Sequence, residues 1–358
     1  MGLTDSFEGF ESGYRRYTRR KKLIIIAMAV IAIFTGILEI ALGPYNIDFF
    51  QAYRVLIDHI LGVEPANTLD DYVVWERSVP RAMCVLIVGA GLGVCGTAMQ
   101  SALKNPLADP YTTGISSGAN LGISMAAVAG IFILPFASGN LGYITNAFLV
   151  SLVPAAVIVG LTAFKRSVSP TTMILIGIAV MYIFSACTTM LNLTASDETY
   201  AEVYTWSLGT LGSVTWGTLP YILAATLVGI VAFYALHAQL NVLADSDSLA
   251  IATGLKPKRA RLLTIVIVSL VTATLVCFTG TIGFVGLVAP HIMRIFIGSD
   301  NRYLIPASAA SGALVLALSD CVAIELTNTG LPVGVVTSLV GGPLFIYILI
   351  KQHRKVWN

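Results

Sequence analysis

Long runs of apolar residues recur along the chain and are separated by short polar segments. A helix needs about 20 mostly apolar residues to cross the hydrocarbon core of a bilayer. Runs of this kind predict ten spanning helices, at residues 23–42, 83–102, 114–134, 143–164, 171–193, 219–237, 262–279, 282–298, 304–323 and 333–350. The run at 282–298 is the weakest, because it is short and contains Pro290. The pattern indicates an all-α polytopic membrane protein.

Composition supports that fold class. The chain has 358 residues, of which 56% are hydrophobic and 11% are charged, whereas soluble domains carry about 25% charged residues. Residues 1–22 predict a mobile cytoplasmic leader, and residues 23–358 predict a single transmembrane domain. A cleaved signal peptide at 23–42 is the alternative for the first run. We favour a retained span, since the apolar part of a signal peptide is only about 7–15 residues long.

Basic residues fall almost entirely on one side of this topology. If the N-terminus is cytoplasmic, the outer segments hold only Arg54, Arg77 and Arg81, so 18 of the 21 Lys and Arg (21 minus 3) are on the inner side. By the positive-inside rule, we expect a multi-pass protein of the cell membrane with both termini in the cytoplasm. The net charge of +2 then reflects topology and contact with membrane lipid, and we expect no nucleic-acid partner.

A polar, Gly- and Pro-rich segment separates the second and third runs. It reads GTAMQSALKNPLADPYTTGISSGANLG and covers residues 96–122. Asn105-Pro106 and Asp109-Pro110 are both turn signals, because Asn and Asp side chains bond their own backbone two residues on and proline fixes φ. We predict a stiff hairpin at the membrane surface, although the turn chemistry alone is also typical of a plain connector between helices.

The inner loop 238–261 predicts a short helix outside the membrane. Asp245-Ser246-Asp247 offers an N-cap and Gly254 a C-cap. Leu249, Ala250 and Ala252 give this helix a short apolar face. The face predicts either an element that rests on lipid or one that docks a cytoplasmic partner.

The outer loop 43–80 predicts a helix that lies on the membrane surface. Residues 48–61 carry apolar side chains at helical spacing, and the sequence WERSVPR follows, with Arg77 and Arg81. From the residues alone, these arginines are typical of side chains that snorkel towards the headgroups.

Three strings of residues resemble one family. The segment 96–122, the string GTIGFVGLVAPHIMR at 280–294 and the string LPVGVVTSLVGGPLFIYIL from Leu331 are similar to signatures of the FecCD family. Its members are membrane subunits of type II ABC importers for ferric siderophores, haem and cobalamin. The resemblance extends from Trp75 to the C-terminus. It implies the type II ABC importer permease fold, with a second copy of the chain, two ATPase subunits and an extracytoplasmic substrate-binding protein as partners.

The resemblance also implies roles for individual residues. The expected cytoplasmic gate comprises Asn105, Leu107, Ser169, Pro170 and Thr171. The expected ATPase coupling element comprises Asp247, Leu249, Ala250, Thr253, Gly254 and Leu255, with Thr253 in place of the family's leucine. The expected contacts to the binding protein are Arg77 and Arg81, with Ser78 in place of the family's first arginine.

The predicted function is a permease for an iron chelate, with ferric siderophore preferred to haem or cobalamin. The sequence has no G-x-x-x-x-G-K-[ST] phosphate loop, so we expect ATP hydrolysis in a separate chain. We expect no catalytic residue, cofactor or metal site, because the five Cys and four His show no ligand spacing.

Two alternatives belong to other functional classes. An ion-coupled secondary transporter needs carboxylates deep in the membrane, whereas Glu39 and Asp320 lie near the outer ends of their spans. A membrane-embedded enzyme is disfavoured, since His, Asp and Cys do not converge in any motif.

Overall fold

The computed structural model describes residues 3–42, 47–164, 168–326 and 331–356, and these residues form helices and the turns between them. The helices are α1 (Leu3–Ile40), α2 (Phe49–Ile60), α3 (Thr68–Tyr72), α4 (Val79–Ala102), α5 (Ile115–Ala127), α6 (Gly139–Phe164), α7 (Pro170–Asn192), α8 (Asp197–Ser207), α9 (Leu219–Ala235), α10 (His237–Asp245), α11 (Asp247–Ala252), α12 (Pro257–Thr279), α13 (Val285–Ile297), α14 (Asn301–Glu325) and α15 (Val333–Val356). A π-helical turn, Val73–Ser78, leads into α4, and a 3₁₀ turn, Pro110–Thr113, precedes α5.

A helix occupies each of the ten predicted runs. Among the described residues, six helices are long and apolar enough to cross a membrane: α1, α4, α6, α7, α12 and α14. The pair α9 and α10 makes a seventh span if its 63° bend is counted within one crossing. The remaining three runs contain the shorter apolar helices α5 and α13 and the apolar part of α15.

The first span continues into the leader as a helix. Helix α1 begins at Leu3 and runs without a break to Ile40, and the cytoplasmic position of the leader stays a prediction. The stretch contains no proline, which is the residue that breaks helices most strongly.

Helix α4 lies at the centre of the bundle, with 19 of its 24 residues buried. Three glycines allow its backbone to touch its neighbours. A Cβ added at Gly89 or Gly93 would lie 2.4 or 2.1 Å from a carbonyl oxygen of α14, and one at Gly96 would lie 1.7 Å from the carbonyl oxygen of Gly286 in α13. Small residues permit this approach, so the crowded glycines identify the central helix.

The helix predicted at 48–61 in the outer loop lies near the start of α4, at the end opposite to the hairpin. Asp48 caps α2 through a 3.1 Å bond from the Phe50 amide. His59 bonds Asp71 at 2.7 Å and stacks on Trp75 with ring centroids 4.2 Å apart. Trp216 donates to the Trp75 carbonyl at 2.9 Å. These contacts fix α2 onto the turn that leads into α4.

The close packing predicts the effect of adding one methyl group. Gly96→Ala should lower the thermal stability of the purified protein, by about 1–3 kcal/mol of unfolding free energy, because the α4 and α13 backbones must separate. Gly160→Ala in α6 is the matched control, since nothing lies within 4 Å of its added Cβ. Thermal unfolding of both variants in the same detergent provides the measurement. Equal midpoints for the two variants would contradict the packing argument.

Candidate functional site

The predicted hairpin after α4 is closed by the side chain of Asn105. Its Oδ1 accepts a 2.9 Å bond from the Leu107 amide, and its carbonyl accepts a 3.0 Å bond from the Ala108 amide. Lys104, one residue earlier, has a left-handed backbone with φ 50°. Leu107 remains 41% exposed at the tip. The turn chemistry expected from the sequence therefore holds one apolar side chain outward on a rigid loop.

The second half of the hairpin is anchored by Asp109. Its Oδ1 accepts a 2.9 Å bond from the Tyr111 amide and caps the 3₁₀ turn. Asp109 is itself buried, and this burial raises the pKa of its carboxyl group to about 6. The turn then packs on α7, where a Cβ at Gly177 would lie 2.8 Å from the Thr113 Cα.

The second predicted gate segment forms the start of α7. Ser169 caps the helix through a 3.1 Å bond from the Thr172 amide, and Pro170 occupies the first turn. Ser169 and Thr171 are exposed, like Leu107. The 3₁₀ turn of the hairpin packs against this same helix, so the two gate segments belong to neighbouring elements.

The short helix predicted in the loop 238–261 is present as α11. The Ser246 hydroxyl accepts a 3.0 Å bond from the Leu249 amide at its start. It ends at Thr253 and Gly254, where Gly254 has φ 81° and the Leu255 amide donates to the Ala250 carbonyl at 2.9 Å.

The apolar face of α11 differs from its prediction. Ala250 is fully buried against the bundle, whereas Leu249 is 41% and Ile251 66% exposed. Ala252, Thr253 and Gly254 are also exposed. The helix turns 100° per residue, so the side packed on the bundle decides which residues remain outside. Ile251, which sequence reasoning missed, is the most exposed large apolar residue of α11.

A group of charged residues joins α11 to the hairpin. Asp247 accepts bonds of 2.9 and 2.5 Å from the two terminal nitrogens of Arg261, and Lys104 Nζ lies 2.5 Å from the same carboxylate. Arg261 Nε also donates to the Ala102 carbonyl at 2.8 Å. The hydrogen bond from Arg261, and after it that from Lys104, hold the pKa of Asp247 well below its usual range. Sequence reasoning identified Asp247 but neither of its basic partners.

The two arginines expected to dock a partner have different surroundings. Arg77 is exposed, with its guanidinium carbon 6.0 Å from the centre of the Tyr72 ring. Arg81 instead points into the bundle and makes two bonds, of 2.7 and 2.8 Å, to the fully buried Asp320 of α14. In the single chain, only Arg77 is available to a partner from outside.

Two of the three recognised strings are in direct contact. Gln100 of α4 donates to the Gly286 carbonyl of α13 at 3.4 Å and accepts a hydrogen bond from Arg294. The third string packs on the second, because a Cβ at Gly341 would lie 2.6 Å from the Phe284 side chain. Residues that are far apart in sequence thus build one structural unit around the hairpin.

Comparison with known proteins settles the family. A model of the FecCD transport family matches residues 16–351. The chain belongs to the FecCD transport family. It is 34% identical over 302 residues to the hemin transport system permease protein HmuU of Yersinia pestis, covering 81% of this chain and 87% of that protein. It is 36% identical over 289 residues to the cobalamin import system permease protein BtuC of Halobacterium salinarum, covering 79% and 74%.

The fold agrees with that of a solved transporter structure. This structure shows an inward-facing conformation of a metal-chelate type ABC transporter, and it matches with a TM-score of 0.79 and 26% identity over 92% of this chain and 99% of that one. The protein is therefore a multi-pass membrane permease of the ABC transporter type, with the all-α fold that the sequence predicted.

Asp109 gives the FecCD hairpin a pH dependence that can be measured. Because folding raises its pKa to about 6, its contribution to stability is complete below the unfolded pKa of about 3.9 and is lost as the pH rises through 6. Asp109→Asn keeps an acceptor for the Tyr111 amide and should flatten the unfolding temperature between pH 5 and 7.5. Asp197→Asn, on the exposed first turn of α8, is the control and should retain the slope. An unchanged slope in Asp109→Asn would contradict this assignment.

Proposed function

We propose that this protein is the membrane permease of an ATP-driven importer that moves an iron chelate into the cell. The observation that carries the proposal is the FecCD match over residues 16–351. Ferric siderophore is the preferred substrate, with haem and cobalamin as alternatives. Relatives of the chain include permeases for hemin, cobalamin and, in Bacillus subtilis, iron(3+)-hydroxamate.

The working assembly that we propose contains two copies of this chain, two ATPase subunits and an extracytoplasmic binding protein. The chain has no phosphate-loop motif, so a separate subunit must hydrolyse ATP. Substrate would pass between the two copies along α7 and α15. Helix α7 supports this path, because it exposes neutral side chains such as Tyr182, Ile183 and Met190, which suit a bulky chelate that has to slide without being held.

We infer that the hairpin and α11 face the cytoplasm, together with both termini. The ion pair between Lys104 and Asp247 places the two segments at the same end of the bundle. Eighteen of the 21 basic residues lie on that side in the predicted topology. Arg77 lies just before the start of α4 and the hairpin follows its end, so about 36 Å of helix separates them. Arg77 would therefore meet the binding protein on the outer side. Arg81 would contribute by holding α4 against α14.

The coupling role of α11 leads to a direct test of the function. Ile251→Arg adds a charge to the exposed face of α11 and should lower both ATPase co-purification and chelate uptake in reconstituted vesicles at least about tenfold. Ile251→Leu is the matched control and should retain both. Uptake should require ATP and the co-expressed ATPase chain. Uptake driven by a proton or sodium gradient without that chain would support the secondary transporter instead, and full co-purification of Ile251→Arg would remove the coupling role from α11.

The gate assigned to Asn105, Leu107, Ser169, Pro170 and Thr171 also has its own test. If Leu107 meets its copy across the two-fold axis, Leu107→Cys in a background free of the natural cysteines should crosslink between subunits in the resting state and block uptake once bridged. Leu227→Cys on the exposed face of α9 is the control and should not crosslink. The absence of a crosslink in every nucleotide state, with transport intact in Leu107→Gly, would place the gate elsewhere.

A further inference from the structure

Three parts of the chain meet around the carboxylate of Asp247, namely α11, α12 and the junction of α4 with the hairpin. Asp247 is the first residue of α11 and binds Arg261 of α12 and Lys104 of the hairpin. Arg261 in turn binds the Ala102 carbonyl at the end of α4. We call Asp247, Arg261 and Lys104 the charge cluster.

We propose that Asp247 is a positioning residue, and that the charge cluster transmits movement of α11 to the hairpin that carries Leu107. This inference rests on the proposed roles of α11 and the hairpin, and it adds the physical connection between them. The connection is short, since Lys104 is only three residues from Leu107.

Arg261 and Lys104 differ in how they hold Asp247. Arg261 is 2% exposed, and its fork of N–H groups is shared between a carboxylate and a carbonyl, a rigid arrangement for a planar guanidinium. Lys104 is 27% exposed in its side chain and holds Asp247 through one ammonium group. A displacement of α11 would therefore act mainly on Lys104, because Arg261 is held by α12 and α4.

The backbone of the hairpin would pass such a displacement on to Leu107 at its tip. Lys104 has a left-handed backbone, which is uncommon for a residue with a side chain. The next residue, Asn105, clamps the Leu107 amide at 2.9 Å. The backbone of residues 104–107 is thus rigid, so a displacement of the Lys104 side chain would also displace Leu107.

The carboxylate of Asp247 also remains charged over the whole physiological pH range. Hydrogen bonds from Arg261 and Lys104 stabilise its ionised form, and its pKa lies well below its usual range. The stability contributed by this depressed pKa is present above the unfolded value of about 3.9 and is lost only as the pH falls towards the folded value. The link therefore acts as a permanent connection.

The test uses the complete complex reconstituted with its ATPase and binding protein. Asp247→Asn removes the charge that attracts Lys104 and leaves the exposed face of Leu249 and Ile251 as it was. Lys104→Gln removes the other partner. Lys104→Gln, which lies outside the coupling element, should retain ATPase co-purification and ATP hydrolysis but lose chelate uptake about tenfold, so that more ATP is consumed for each substrate imported. Asp247→Asn should lose uptake to a similar extent.

Further variants separate coupling from folding. The double variant should be no worse than Asp247→Asn alone, since both changes break one connection. Asp247→Glu should restore part of the uptake. Asp245→Asn and Lys256→Gln, which change exposed charges in the same loop, are the controls and should behave as the unsubstituted protein. Unfolding temperatures measured in parallel should stay close together for Lys104→Gln and the controls, whereas Asp247→Asn should unfold at a lower temperature because the buried Arg261 loses its charged partner. The Leu107→Cys crosslink should lose its dependence on nucleotide in the Lys104→Gln background.

Three results would overturn the proposal. They are uptake within twofold of normal in both single variants, losses that multiply in the double variant, and loss of ATPase co-purification in Lys104→Gln. Failure of the underlying function is distinguishable, because it appears as normal co-purification in Ile251→Arg whatever the cluster variants do.

Discussion

The contact between α4 and its neighbours is the constraint on which the rest of the structure depends. Helices in lipid gain no hydrophobic free energy from association, so they rely on close packing. Gly89 and Gly93 bring α4 onto α14, and Gly96 brings it onto α13. The hairpin begins where this helix ends, so its position is set by backbone contacts that allow almost no freedom.

The charge cluster connects this rigid unit to α11. Arg261 is buried and would be costly there without partners. It finds one partner in the Ala102 carbonyl, which is an orphan acceptor at the last turn of α4, and another in Asp247. Satisfying one buried cation thus ties the central helix, the hairpin and α11 to a single point.

Sequence reasoning succeeded where the cause is local. Turn chemistry predicted the hairpin because Asn105 and Asp109 bond backbone groups two residues away, and an N-cap and a glycine predicted α11. It failed where tertiary contacts decide. Arg261 and Ala102 are 159 residues apart and Arg81 and Asp320 are 239 apart, and no periodic pattern links such positions. The burial of Ala250 in α11 is also a tertiary effect, because contacts with the bundle determine which face of this short helix is covered.

Helix α4 is held at both ends by an arginine, and this limits where the molecule can move. Arg81 binds Asp320 near its start, and Arg261 binds Ala102 at its end. Interfaces that are packed so closely change between discrete arrangements and do not deform gradually. Helices α4, α13 and α14 are therefore expected to move as one body. Changes during transport are then expected in elements outside this body, which include α7, α11 and the Leu107 tip. The charge cluster lies at the boundary between the rigid body and these moving parts, where a small shift of α11 has the most effect.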